Sequence, residues 1–131
     1  MTASVLIVDD APLMRGMLRD ILSREGFTVI GEAADGTEAL SLYRALRPDL
    51  VILDIVMPRM DGLSALRQVR AQDPHATVVM CSAVGQDVVI TEAIEAGARE
   101  FIVKPFDPAR VAAVLHSVLP PGGSRCPEKE S

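Results

Sequence analysis

Five polar residues of this 131-residue chain stand where apolar runs end. Asp9 and Asp10 follow Val5–Val8, Asp54 follows Leu50–Leu53, Ser82 follows a run that ends at Cys81, and Lys104 follows Val103. Three carboxylates and one ammonium brought together would carry a net charge of about two negative units. Unrelieved, they would repel and push one carboxyl pKa upward. One divalent cation would balance them. Every available ligand is a hard oxygen, which suits Mg²⁺, and no His or Cys follows a run's end in a position to suit a softer metal. A carboxylate can attack a phosphoryl group and form an acyl phosphate. The transferring group needs positive charge around its oxygens, which a metal and Lys104 could supply, while Ser82 could donate a hydrogen bond. The nucleophile needs no base to activate it. The chemistry indicated is phosphoryl transfer to an aspartate, and charge alone does not say which.

The elements that must position these groups alternate. Strand candidates are Val5–Val8, Thr28–Ile30, Leu50–Leu53, Thr77–Cys81 and Glu100–Val103, most of them apolar on both faces, as for strands covered above and below. Between them lie helical stripes. Met14, Met17, Leu18 and Ile21 follow the i, i+3, i+4, i+7 spacing, as do Val111, Val114, Leu115 and Val118. Weaker stripes run through Leu40, Tyr43 and Leu46 and through Leu63, Leu66 and Val69, and Val88–Ala96 forms another helix. Gly26 stands where a helix stop is wanted, Asp35 and Asp107 where N-caps are wanted, Pro108 in a first turn, and Pro48 and Pro74 past helix ends. Five βα units predict an α/β fold with a parallel sheet and five helices on both faces. In such sheets ligands bind outside the carboxyl ends of the strands, so all five polar groups should emerge on one edge. Charges there are costly unless paired or bound to a metal.

Composition narrows the function. Hydrophobic residues make up 49% and aromatics 3%, so the chain folds around an aliphatic core. The net charge of -5 speaks against direct nucleic-acid binding. The run Val5–Val8 is too short for a signal peptide or a spanning helix, so no membrane role is expected. Cys81 lies in an apolar run and Cys126 in a polar stretch; both are expected to be free thiols in a reducing, cytoplasmic setting. The domain is expected over residues 1–119. From Pro120 the sequence PPGGSRCPEKES reads as a flexible tail or linker, residues 120–131.

The segments VLIVDD, LVILDIVMPRMDG, VVMCSA and FIVKPF resemble those of response-regulator receiver domains over about Val5 to Leu119. DDAPLMR and CSAVGQ are similar to stand-alone chemotaxis regulators of the CheY type. The resemblance implies a flavodoxin-like strand order 2-1-3-4-5. It implies that Asp54 is the acceptor of phosphate from a histidine kinase of the chemotaxis type. Asp10, Asp54 and the main-chain carbonyl of Val56 would bind Mg²⁺ directly, and Asp9 through water. Lys104 would contact the phosphoryl group, Ser82 would move toward it, and Phe101 would be the aromatic switch. The Lys104–Pro105 bond would be cis. The output surface would be the fourth helix, the fifth strand and the fifth helix, used by a monomer to bind the flagellar motor switch. Val88, Val89 and Ile90 are three successive apolar residues that one helix face cannot bury together. Val56 and Val84 occupy the two positions that tune phosphate lifetime in the family. Being aliphatic, they cannot orient an attacking water, so slow self-dephosphorylation is expected from what is a switch and not an enzyme. His75 and His116 read as a loop residue and a helix-surface residue. One alternative is a receiver belonging to a regulator with a separate or missing output domain. Another is a small Mg²⁺-dependent aspartyl phosphatase of the haloacid-dehalogenase type. That group uses a D-x-D pattern, whereas here Asp9 and Asp10 are adjacent and followed by Ala11 and Pro12.

Overall fold

The computed structural model describes residues 3–57, 60–83 and 87–118, with the backbone alone at residue 87. The expectations for Val84, Cys126 and the tail therefore lie outside the described residues. Strands β1 (Ser4–Val8), β2 (Thr28–Ala33), β3 (Leu50–Asp54), β4 (Val78–Ala83) and β5 (Glu100–Lys104) alternate with helices α1 (Pro12–Arg24), α2 (Gly36–Leu46), α3 (Gly62–Gln72), α4 (Asp87–Glu95) and α5 (Pro108–Val118). The strands form one parallel sheet in the order β2-β1-β3-β4-β5, as the resemblance implies.

Strand periodicity divides the core in two. Val5 and Ile7, Leu50 and Ile52, Val79 and Cys81, and Ile102 face α1 and α5, meeting Leu18, Leu22, Val111 and Leu115. Leu6 and Val8, Val51 and Leu53, and Val78 and Met80 face α2, α3 and α4, meeting Tyr43, Leu66, Val69 and Ala93. A sheet so covered needs strands that are apolar on both sides, and all five residues of β3 are buried.

The punctuation works largely as its chemistry requires. Gly26, at φ +87°, takes the left-handed turn after α1 that a side chain would disfavour. The Asp35 side chain accepts from the Glu38 amide at the start of α2, and Asp107 accepts from the Ala109 amide at the start of α5. Two strands run two or more residues past their expected ends: β2 to Ala33 and not Ile30, and β4 to Ala83 and not Cys81. Gly31, Glu32 and Ala33 are weak strand formers, yet each pairs with β1, because ladder hydrogen bonds outweigh weak strand propensity.

Candidate functional site

The register of the sheet assembles the site. Val8 pairs with Leu53, Asp54 with Cys81, Ser82 with Val103 and Ala83 with Lys104. All five predicted groups therefore lie along one edge. By alternation Asp54 and Lys104 follow Ile52 and Ile102 onto the α1–α5 face, while Ser82 follows Met80 onto the other.

Ion pairs close the cluster. The Lys104 ammonium lies 2.9 Å from Asp9 Oδ2 and 3.2 Å from Asp54 Oδ2. Oxygens of Asp9, Asp10 and Asp54 come within 4.8 Å of one another. Asp9 is 1% exposed and Asp54 6%, whereas Asp10 is open to solvent. Burial, and then the charge of Asp9, raises the Asp54 carboxyl above its ordinary value, against the pull of Lys104 and a hydrogen bond from the Val56 backbone. Burial works against the Lys104 ammonium, but the Asp9 hydrogen bond and the Asp54 charge outweigh it, so Lys104 is held above its ordinary value. The site thus keeps its lysine charged and has more negative charge than it can comfortably ionise.

Two features show that a further group fits. Three hard carboxylate donors converge with one ammonium between them, a donor set for a small hard cation. The Ser82 hydroxyl is fully buried, yet its Oγ has no hydrogen-bond partner among the described residues. A buried hydroxyl without a partner costs free energy, and an incoming phosphoryl oxygen would supply one.

Local chemistry fixes the scaffold around these groups. The Asp9 amide donates to the Ala33 carbonyl, and its Oδ1 accepts from the Ala11 amide at 2.9 Å. This turn substitutes for a helix cap, since Ala11 at the N-cap of α1 has no capping side chain. After β3, the Gly62 amide donates to the Ile55 carbonyl at 2.7 Å. A Cβ at Gly62 would stand 2.0 Å from the Asp54 carbonyl oxygen, so only glycine lets the loop return so closely beneath Asp54. Asp61 then caps α3 through the Ser64 amide. Sequence reasoning quoted MPRMDG without assigning Asp61 and Gly62 this work; the Asp-Gly pair before an apolar helix was the available signal. It also missed the Asp9–Lys104 ion pair, which residue types alone do not show.

The remaining expectations fall as follows. Val56 lies just past β3 with its side chain 61% exposed. Phe101 is half-buried against the α2–α4 side of the core. The Lys104–Pro105 bond is cis. Val88 is 75% exposed, while Val89 and Ile90 pack partly onto the core, as their succession predicts. Cys81 is buried and unpaired, and burial followed by the nearby Asp54 charge pushes its thiol up. His116 departs from a plain surface position: Nε2 lies 2.8 Å from Glu25 Oε1 and the ring packs on Phe27. No helix among the described residues is long and apolar enough to cross a membrane.

Residues 5–116 match the Response regulator receiver domain. The chain belongs to the response-regulator receiver family. Among its relatives, Chemotaxis protein CheY of Thermotoga maritima is 51% identical over 114 residues, 87% of this chain and 95% of that protein. Chemotaxis protein CheY of Bacillus subtilis is 47% identical over 119 residues, 91% and 99% of the two chains. A solved CheX–CheY–BeF₃–Mg²⁺ complex from Borrelia burgdorferi contains a chain similar to this one, with a TM-score of 0.86, 42% identity and 88% of each chain covered. The receiver is therefore CheY-like, a signalling domain with an acidic pocket at the carboxyl edge of its sheet.

Proposed function

We propose that this receiver is a phosphorylation switch in which Asp54 takes the phosphoryl group of a phosphohistidine on a chemotaxis-type histidine kinase. The observation that carries the reading is the buried Asp54 carboxylate held beside Lys104 in a cluster of three aspartates. In the transfer the histidine N–P bond breaks, an Asp54 O–P bond forms, and the imidazole nitrogen takes up a proton. Asp10, Asp54 and the Val56 carbonyl would hold Mg²⁺ directly. Asp9, the most deeply buried of the three carboxylates, would hold the ion through water. When bound, Mg²⁺ supplies positive charge against the phosphoryl oxygens.

The chain's own residues do the rest. Lys104 sits where it can move from carboxylate oxygens to phosphoryl oxygens without leaving the site. Ser82 has a hydroxyl free to donate, and its shift vacates space on the Met80 face, onto which half-buried Phe101 can turn. Phe101 has no hydroxyl to satisfy on burial. The surface so changed comprises α4, β5 and α5, with Val88 exposed upon it, and its partner is the flagellar motor switch. The protein works as a cytoplasmic monomer, with the receiver over residues 1–119 and a tail over 120–131, and it turns over no external substrate.

The test is incubation with Mg²⁺ and acetyl phosphate. One phosphoryl mass increment is expected, and Asp54→Asn abolishes it. Labelling elsewhere, or none, overturns the reading, and turnover of small phosphomonoesters points to a phosphatase instead.

A further inference from the structure

We infer that Arg15 is a positioning residue for the metal-binding turn, acting on Asp10 through the backbone of Asp9; this rests on the Mg²⁺-dependent reading above. Asp10 is exposed, and among the described residues its carboxylate has no hydrogen bond or ion pair. With no partner to hold the side chain, the placement of its Cα–Cβ bond depends on the backbone that carries it. That backbone is pinned at Asp9, whose amide is held by the Ala33 carbonyl and whose Oδ1 is held by the Ala11 amide. Those two bonds fix the chain before the Asp9–Asp10 peptide and the turn after it, but not the peptide plane between. Arg15 fixes the plane. Its Nη1 donates to the Asp9 carbonyl at 2.6 Å, a charge-assisted bond from one turn into α1.

The guanidinium is itself held. Its Nε lies 2.9 Å from Glu32 Oε1 on β2, and Arg19 pairs with the other Glu32 oxygen. Arg15 is 18% exposed and Arg19 51%, so the inner arginine reaches the turn and the outer one steadies the glutamate. Glu32 also offsets the Arg15 charge, so the arginine orients the turn with little electrostatic competition against a bound cation. A guanidinium, with its fixed planar fork, can bridge a carbonyl and a carboxylate at once, whereas an ammonium serves them as a point charge.

The test is calorimetric titration of the unphosphorylated full chain with Mg²⁺, read together with backbone amide NMR shifts and thermal melts. Groups that orient metal ligands from outside typically change affinity by about 10–100-fold. Arg15→Ala is expected at the lower end, roughly tenfold weaker Mg²⁺ binding, with altered Asp10 amide shifts. Arg15→Lys recovers part of the loss. Glu32→Gln weakens binding several-fold by loosening Arg15. Tyr43→Phe, remote from the edge, lowers the melting temperature without changing Mg²⁺ affinity. If Arg15→Ala lowers stability alone and binds Mg²⁺ as the parent does, the inference is overturned and the switch reading survives. If Arg15→Ala does not fold, Glu32→Gln decides: unchanged affinity overturns the inference and weaker binding supports it. A parent chain that binds no Mg²⁺ overturns the switch reading and this inference with it.

Discussion

The two edges of the sheet treat buried polar groups in opposite ways. At the amino edge, Asp49 accepts from both the amide and the hydroxyl of Ser4, and the Ser4 hydroxyl accepts from the Asp49 amide. Nearby, buried Tyr43 donates to Asp73 at 2.7 Å, and Arg47 stands 3.7 Å from the same carboxylate and over the Tyr43 ring. Donors and acceptors there satisfy one another within the protein. At the carboxyl edge three carboxylates face one ammonium, one carboxyl is held above its ordinary value, and a buried hydroxyl lacks a partner among the described residues. The first arrangement stabilises a finished fold. The second leaves charge unbalanced among the described residues, which suits the proposed uptake of a cation and a phosphoryl group.

Four variants test that contrast, from the largest effect to the smallest. Asp54→Asn abolishes labelling by acetyl phosphate and, in Mg²⁺-free buffer, raises the melting temperature by a few degrees, because it removes a charge the fold disfavours. A fall in melting temperature would contradict this account of the edge. Gly62→Ala drives a Cβ into the Asp54 carbonyl and should cost on the order of 3 kcal/mol in urea unfolding, with slower labelling. Tyr43→Phe leaves the Asp73 carboxylate short of a donor and should cost about 1–2 kcal/mol, with the labelling rate unchanged. A labelling defect in that variant would mean the two edges are not independent. Val56→Asn combined with Val84→Glu should speed loss of phosphate several-fold, by placing polar groups at the two positions that the family resemblance ties to phosphate lifetime. An unchanged or slower rate would sever phosphate lifetime from these positions.

Much of this was readable from the chain because few forces compete at a buried strand end. Asp54 after Leu53 and Lys104 after Val103 stand out against apolar runs, and the parallel topology leaves one edge for both. Strand order did not follow from the residues, since alternation predicts a parallel sheet and not its sequence of neighbours; the family resemblance supplied it. What stayed hidden depends on contacts between distant segments. Arg15 is one basic residue on a helix until the fold brings it to Asp9 and Glu32. His116 reads as surface until Glu25 and Phe27 close around it. Asp9 and Asp54 look alike in sequence, and Lys104 reaches both in the fold, so it is the family resemblance that sets Asp54 apart as the proposed acceptor.

The register between β4 and β5 has a mechanical consequence. Ser82 lies two residues past Met80, and Met80 pairs with Phe101. Side chains two apart on a strand share a face and stand about 7 Å apart along it. The path from the orphaned hydroxyl to an aromatic ring half open to water is therefore one side-chain step and one rung. A displacement at Ser82 needs no hinge, no domain rotation and no long relay to reach the outside of the molecule. In the proposed switch it would arrive on the next strand, at short range, through Met80 and Phe101, which already pack in the same layer of core.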